Sequence, residues 1–108
     1  MSKIENFSRT DELSLVNEVE GEPDAVWKHD VIEQEVAVFK ARDTERDISF
    51  YEVDLFSQAD GYTYKENVYE EDTKEDAMDR ARGLMKRHPE GVTSKGGIEP
   101  EQMDGDMG

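Results

Sequence analysis

Two histidines are the side chains of this sequence that could act as a general base near neutral pH. His29 adjoins Asp30 in a segment with strand character, and neighbouring strand residues point to opposite faces, so these two cannot form a dyad. His88 follows Lys86 and Arg87 at the end of a predicted helix, where a cation complements the helix dipole. We therefore predict that neither histidine is catalytic and that the chain has no catalytic residue.

Paired carboxylates are the second kind of candidate, since hard cations such as Mg²⁺ and Ca²⁺ bind oxygen ligands. Glu52 and Asp54 share one face of a predicted strand. Glu66 and Glu70 share one face of another, and residues 104–106 read Asp-Gly-Asp without the other ligands of a calcium loop. A strongly acidic surface produces such pairs without a metal, and the absence of cysteine excludes thiolate sites. We predict no metal and no cofactor.

The charge of the chain indicates the environment in which the protein works. There are 28 Asp and Glu residues against 13 Lys and Arg, a net charge of −15, and the excess is spread along the whole sequence. Such an even coating is typical of proteins adapted to molar salt, where the screening length falls to about 3 Å. The alternative is a DNA mimic, whose carboxylates imitate phosphates. No apolar run has the length of a membrane span, and no signal segment is evident, so we expect no membrane association and a cytoplasmic location.

The elements that position these side chains are four strands and one helix. Segments rich in Val, Phe and Tyr with alternating polarity predict strands over Val26–Ile32, Glu35–Ala41, Ile48–Phe56 and Tyr62–Glu70. Short links between them favour an antiparallel meander, and Asp60-Gly61 accepts the positive φ of a tight hairpin turn.

The helix is predicted from its caps and its apolar stripe. Thr73 can cap the N-terminus with Asp76 in the capping box, and Pro89 ends the helix. The stripe consists of Ala77, Met78, Ala81, Leu84 and Met85. The prediction is therefore an α+β, two-layer fold: a four-stranded antiparallel meander with one C-terminal helix on one face.

The predicted domain covers residues 25–90. Residues 1–24 are predicted to form a partly ordered N-terminal segment, in which Thr10–Val19 is either a short helix or a fifth strand. Residues 91–108, rich in glycine and acid, are expected to be a flexible acidic tail that is dispensable for folding.

One apolar face is expected to lack a cover, because a single helix shields only one side of the sheet. The third predicted strand carries Phe50 and Phe56 on the face opposite Val53 and Leu55. With Phe39 from the second strand, these phenylalanines predict a homodimer interface, and pairing through the sheet face or its edge is the simplest arrangement. The leading functional prediction is accordingly a non-enzymatic, homodimeric interaction module.

Nucleic-acid binding is the competing prediction. The concentrated positive charge lies on the helix, at Arg80, Arg82, Lys86 and Arg87, and neighbouring aspartates oppose it. Aromatic rings on an open sheet face could also stack bases of a single strand. We rank this prediction below the interaction module, and a metal-dependent enzyme third.

Several residues of the hairpin and helix carry a resemblance. Gly61-Tyr62, Tyr69, Thr73-Lys74 and Ala77 resemble the module of small YegP-like proteins. The layout from Asn6 through Trp27 to the Arg87–Gly91 ending is similar to that of uncharacterised acidic proteins of haloarchaea. This resemblance implies a sheet-plus-helix fold that often pairs into dimers, without an established activity or a catalytic residue.

Overall fold

The computed structural model describes residues 4–15 and 22–92, which form five strands followed by one helix. The elements are β1 (Phe7–Thr10), β2 (Ala25–His29), β3 (Gln34–Asp43), β4 (Ile48–Ala59), β5 (Tyr62–Glu71) and α1 (Lys74–Arg87). Each strand pairs antiparallel with the next, so the sheet is a meander in the order β1-β2-β3-β4-β5. The predicted α+β class is confirmed, but the sheet has five strands and not four.

The additional strand is β1, at one edge of the sheet. It pairs with β2 so that Phe7 lies opposite His29 and Thr10 lies opposite Val26. Only Phe7 is buried in this strand. The predicted helix or strand over Thr10–Val19 is not found in the part described, since residues 11–15 are irregular and residues 16–19 lie outside the described ranges.

The turn between β4 and β5 is the tight hairpin that Asp60-Gly61 predicts. Both residues have positive φ, 55° and 82° respectively, as a two-residue type I′ turn requires. Glycine adopts this conformation without strain, and aspartate is among the residues that tolerate it best.

The helix begins and packs as predicted. The Thr73 hydroxyl accepts a hydrogen bond from the Asp76 backbone N–H at 3.1 Å. The stripe buries Ala77, Ala81, Leu84 and Met85 against β3, β4 and β5, where it meets Val53 and Leu55 in the larger core cluster. In the described ranges no helix is long and apolar enough to cross a membrane.

The domain continues past the predicted boundary at residue 90. The Val92 side chain is buried in the helix-side core. The Gln34 side-chain amide donates to the Val92 carbonyl and accepts from the Val92 N–H, both at 2.7 Å. Gly91 and Val92 therefore belong to the domain, and the rest of the predicted tail, residues 93–108, lies outside the described part of the chain.

Candidate functional site

On the sheet face opposite α1, another segment of the same chain covers the centre of the predicted interface. Phe39 and Phe56 are buried, with ring centroids 6.4 Å apart. Leu13 and Leu15, from the connection between β1 and β2, pack against them. The expectation that this face lies uncovered is therefore corrected for these two rings, while Phe50 is half-buried. A partner could reach Phe39 and Phe56 only if the connection moved.

A buried carboxylate holds this cover in place. The Glu35 side chain has no exposed surface. Its oxygens accept hydrogen bonds from the Ser14 N–H at 2.9 Å, the Ser14 hydroxyl at 2.7 Å and the Leu15 N–H at 3.0 Å. Since buried carboxylates are costly unless their oxygens are paired, these bonds make Glu35 a clamp for the β1–β2 connection. The sequence pattern of β3 did not distinguish Glu35 from a surface acid.

Three of the four predicted nucleic-acid residues on α1 are engaged within the chain, namely Arg80, Arg82 and Arg87. Arg80 donates to Glu71 at 2.7 Å and its guanidinium lies 4.9 Å from the centroid of the Tyr69 ring. Arg87 donates to the Tyr69 hydroxyl at 3.1 Å. Arg80 and Arg87 are thus brought together around Tyr69, where α1 crosses the end of β5.

The groove beside these arginines has mixed charge. It encloses about 320 Å³ and is lined by Glu71, Asp76, Asp79, Arg80, Gly83 and Arg87. Arg82 pairs with Asp79 at 3.3 Å, and Lys86 is exposed next to Arg87. The carboxylates oppose a phosphate, so the electrostatics of this groove do not favour a nucleic-acid backbone.

His29 is buried and holds three backbone groups. Its Nδ1 accepts from the N–H groups of Val31 at 3.0 Å and Ile32 at 3.2 Å, which leaves the ring proton on Nε2 to donate to the Pro89 carbonyl at 2.9 Å. The ring also packs edge to face on Phe7, with centroids 4.8 Å apart. This environment assigns His29 a structural role, connecting the β2–β3 turn to the segment that follows α1.

The predicted pairing of Glu66 with Glu70 on one face is wrong. Glu66 lies opposite Leu55, which belongs to the helix-side core, whereas Glu70 lies opposite Glu52 on the other side of the sheet. A β-bulge places the extra residue Val68 between them. One inserted residue reverses the alternation of a strand, so the two carboxylates face opposite sides.

Glu52 and Asp54 do share a face, as predicted. Burial raises the pKa of Glu52, and so do the neighbouring charge of Asp54, a hydrogen bond to Asp54 and the charge of Glu70, while Lys65 opposes these effects. Asp54 is itself buried and accepts from the Asn67 amide at 3.0 Å. Within residues 4–15 and 22–92 no three ligating side chains converge as a metal site.

Neutralising Glu52 is expected to stabilise the protein at neutral pH. Because the folded pKa lies above the ordinary value, the protonated form suits the fold, and its stabilising effect is lost as pH rises through the folded pKa. We expect Glu52→Gln to raise Tm by about 2–4 °C at pH 7 and low salt, with the difference vanishing below about pH 4. Thermal melts across this pH range test it.

The matched control for this variant is Glu45→Gln, which removes the same charge from the exposed β3–β4 turn. It should not reproduce the pH-dependent gain. A Glu52→Gln variant with lower Tm at pH 7, or with a gain that persists at low pH, would contradict the raised pKa.

The most exposed aromatic surface lies on β5, which has no neighbouring strand on its outer side in the described sheet. Tyr62 and Tyr64 are 67% and 51% exposed. They lie opposite Ala59 and Ser57, on the same face as Leu55, at the end of the sheet that α1 leaves open. The sequence predicts dimerisation through a sheet face or edge, but neither tyrosine was among the predicted interface residues.

No family model, curated protein or solved structure matches this chain, so the candidate site rests on its own geometry: the open edge of β5 with its two exposed tyrosines.

Proposed function

We propose that this protein is a homodimeric, non-enzymatic interaction module of a salt-adapted microorganism, acting in the cytoplasm. The observation that carries the proposal is the open β5 edge with Tyr62 and Tyr64 exposed on it. Open strand edges bind further strands, and most soluble oligomers pair identical surfaces.

The net charge of −15 supports the salt-adapted part of the proposal, since two such chains repel each other in dilute buffer. Light scattering in about 2 M KCl should give twice the monomer mass of 12.4 kDa at micromolar concentration, and Tm should be higher than in about 0.1 M KCl. A mass of 12.4 kDa at every concentration would refute the homodimer. Equal Tm values at the two salt concentrations would refute the adaptation to salt.

A second candidate function is binding of single-stranded nucleic acid. Tyr62 and Tyr64 present two exposed rings on one face, and such rings stack bases with little dependence on sequence. Under this alternative, titration with an oligothymidylate would quench tyrosine fluorescence, because bases stack on the rings. The titration is made in about 0.1 M KCl, since phosphate binding weakens as salt rises. An unchanged spectrum would favour the interaction module.

A further inference from the structure

We propose that two copies of this chain pair their β5 strands antiparallel, around a two-fold axis that passes beside Tyr64. The proposal rests on the homodimer proposed above and names its interface. It joins two five-stranded sheets into one of ten strands, with both helices on the same side.

The hairpin geometry determines which backbone groups of β5 face outward. A two-residue turn closes on a hydrogen-bonded pair, so the backbone groups of Tyr62 and Tyr64 bond to β4. The N–H and C=O groups of Thr63 and Lys65 therefore point to the open edge. A second β5 strand can bond to these groups without displacing any existing pair.

The charges of β5 select one register. With Tyr64 opposite the same residue of the second copy, Thr63 faces Lys65 and Tyr62 faces Glu66, and no like charges meet. Centring the pair on Lys65 or on Glu66 instead places two like charges directly opposite each other. Centring it on Thr63 shortens the paired segment.

Within residues 4–15 and 22–92, this segment of the edge is accessible. Lysine often blocks strand edges. The Lys65 side chain instead lies over the sheet face opposite α1, with Nζ 3.9 Å from Asp54. The Thr63 hydroxyl likewise donates to the Leu15 carbonyl at 3.4 Å. The bulge at Val68 ends regular pairing after Asn67, so the interface spans about seven residues, and such a small interface implies micromolar affinity.

The opposite edge of the sheet is less suited to this role. β1 has only four residues, and the side chains of two of them make contacts within the chain. The Ser8 hydroxyl donates to Asp30 at 2.7 Å, and the Arg9 guanidinium lies 5.2 Å from the Trp27 ring centroid.

Single-cysteine variants test the register directly, because the natural chain has no cysteine. In the proposed pair the two Tyr64 positions are a non-hydrogen-bonded pair with Cα atoms about 4.5 Å apart, within disulfide range. Tyr64→Cys should therefore form a covalent dimer under mild oxidation in about 2 M KCl. The matched control is Tyr62→Cys, whose two copies lie about 13 Å apart and should not crosslink.

A proline substitution tests the edge without relying on a crosslink. Thr63→Pro removes an outward N–H and leaves the bonds to β4 intact, so the folded chain should dimerise at least about tenfold more weakly. Thr63→Ala, which loses only the hydroxyl's contacts with the Gln58 amide and the Leu15 carbonyl, should remain dimeric. If the unsubstituted chain is monomeric at every concentration, both the homodimer and this interface are refuted. A dimer that persists in Thr63→Pro, or that crosslinks at position 62 and not at 64, overturns the β5 pairing alone.

Discussion

Replacing Glu35 with alanine is expected to lower the free energy of unfolding by about 3–4 kcal/mol and to uncover the phenylalanine face. The buried carboxylate accepts hydrogen bonds from the backbone N–H groups of Ser14 and Leu15 and from the Ser14 hydroxyl. Alanine leaves these donors without their acceptor and releases the connection that covers Phe39 and Phe56. Urea denaturation at fixed salt measures the loss, and binding of a hydrophobic dye reports the exposed rings.

Two variants separate the clamp from a general charge effect. Glu33→Ala removes the same charge from an exposed position, where the carboxylate pairs with Lys28 at 3.5 Å, and should change stability by less than about 1 kcal/mol. Glu35→Gln keeps one acceptor oxygen and should lie between the two. If Glu35→Ala proves as stable as Glu33→Ala, the connection is held by other contacts.

The parts of the fold that could be predicted from the sequence are those with local signals. The N-cap fixes where α1 begins, since the Thr73 hydroxyl accepts a hydrogen bond from the backbone N–H of Asp76, three residues later. The Asp60-Gly61 turn fixes the β4–β5 hairpin, because few residue pairs accept two positive φ angles. Both features depend on residues that are neighbours in the chain.

The features that could not be predicted depend on contacts between distant residues. β1 is stabilised by pairing with β2 across a long connection, and its four residues bury one side chain, which is too little for an apolar pattern. The clamp joins Glu35 to Ser14, 21 positions apart. The bulge at Val68 appears only when β5 is aligned with β4, and it reverses the face of every residue beyond it.

The candidate site shows the same division. The alternation of β4 correctly separates Val53 and Leu55 from Phe56, so both apolar faces could be predicted. The cover of the Phe56 face could not be predicted, because Leu13 and Leu15 lie in an irregular segment. The exposed edge at Tyr64, in contrast, follows from the strand order of a meander and could have been found from the sequence.

Replacing His29 with phenylalanine is expected to lower the free energy of unfolding by about 2–3 kcal/mol. Phenylalanine preserves the ring and its edge-to-face contact with Phe7. It removes the acceptor for the N–H groups of Val31 and Ile32 and the donor to the Pro89 carbonyl. Urea denaturation measures the loss, and hydrogen exchange should accelerate at the two orphaned amides.

His88 provides the control, because His88→Phe makes the same change of ring without removing a hydrogen bond of the kind that His29 makes. His88 caps α1 through its backbone N–H, which bonds to the Met85 carbonyl at 3.2 Å whatever the side chain. His88→Phe should therefore change stability by no more than about 0.5 kcal/mol. Equal losses at positions 29 and 88 would mean that the His29 hydrogen bonds contribute little and that ring packing dominates. A large loss at position 29 alone, with faster exchange at Val31 and Ile32, would establish that His29 connects the β2–β3 turn to the segment after α1.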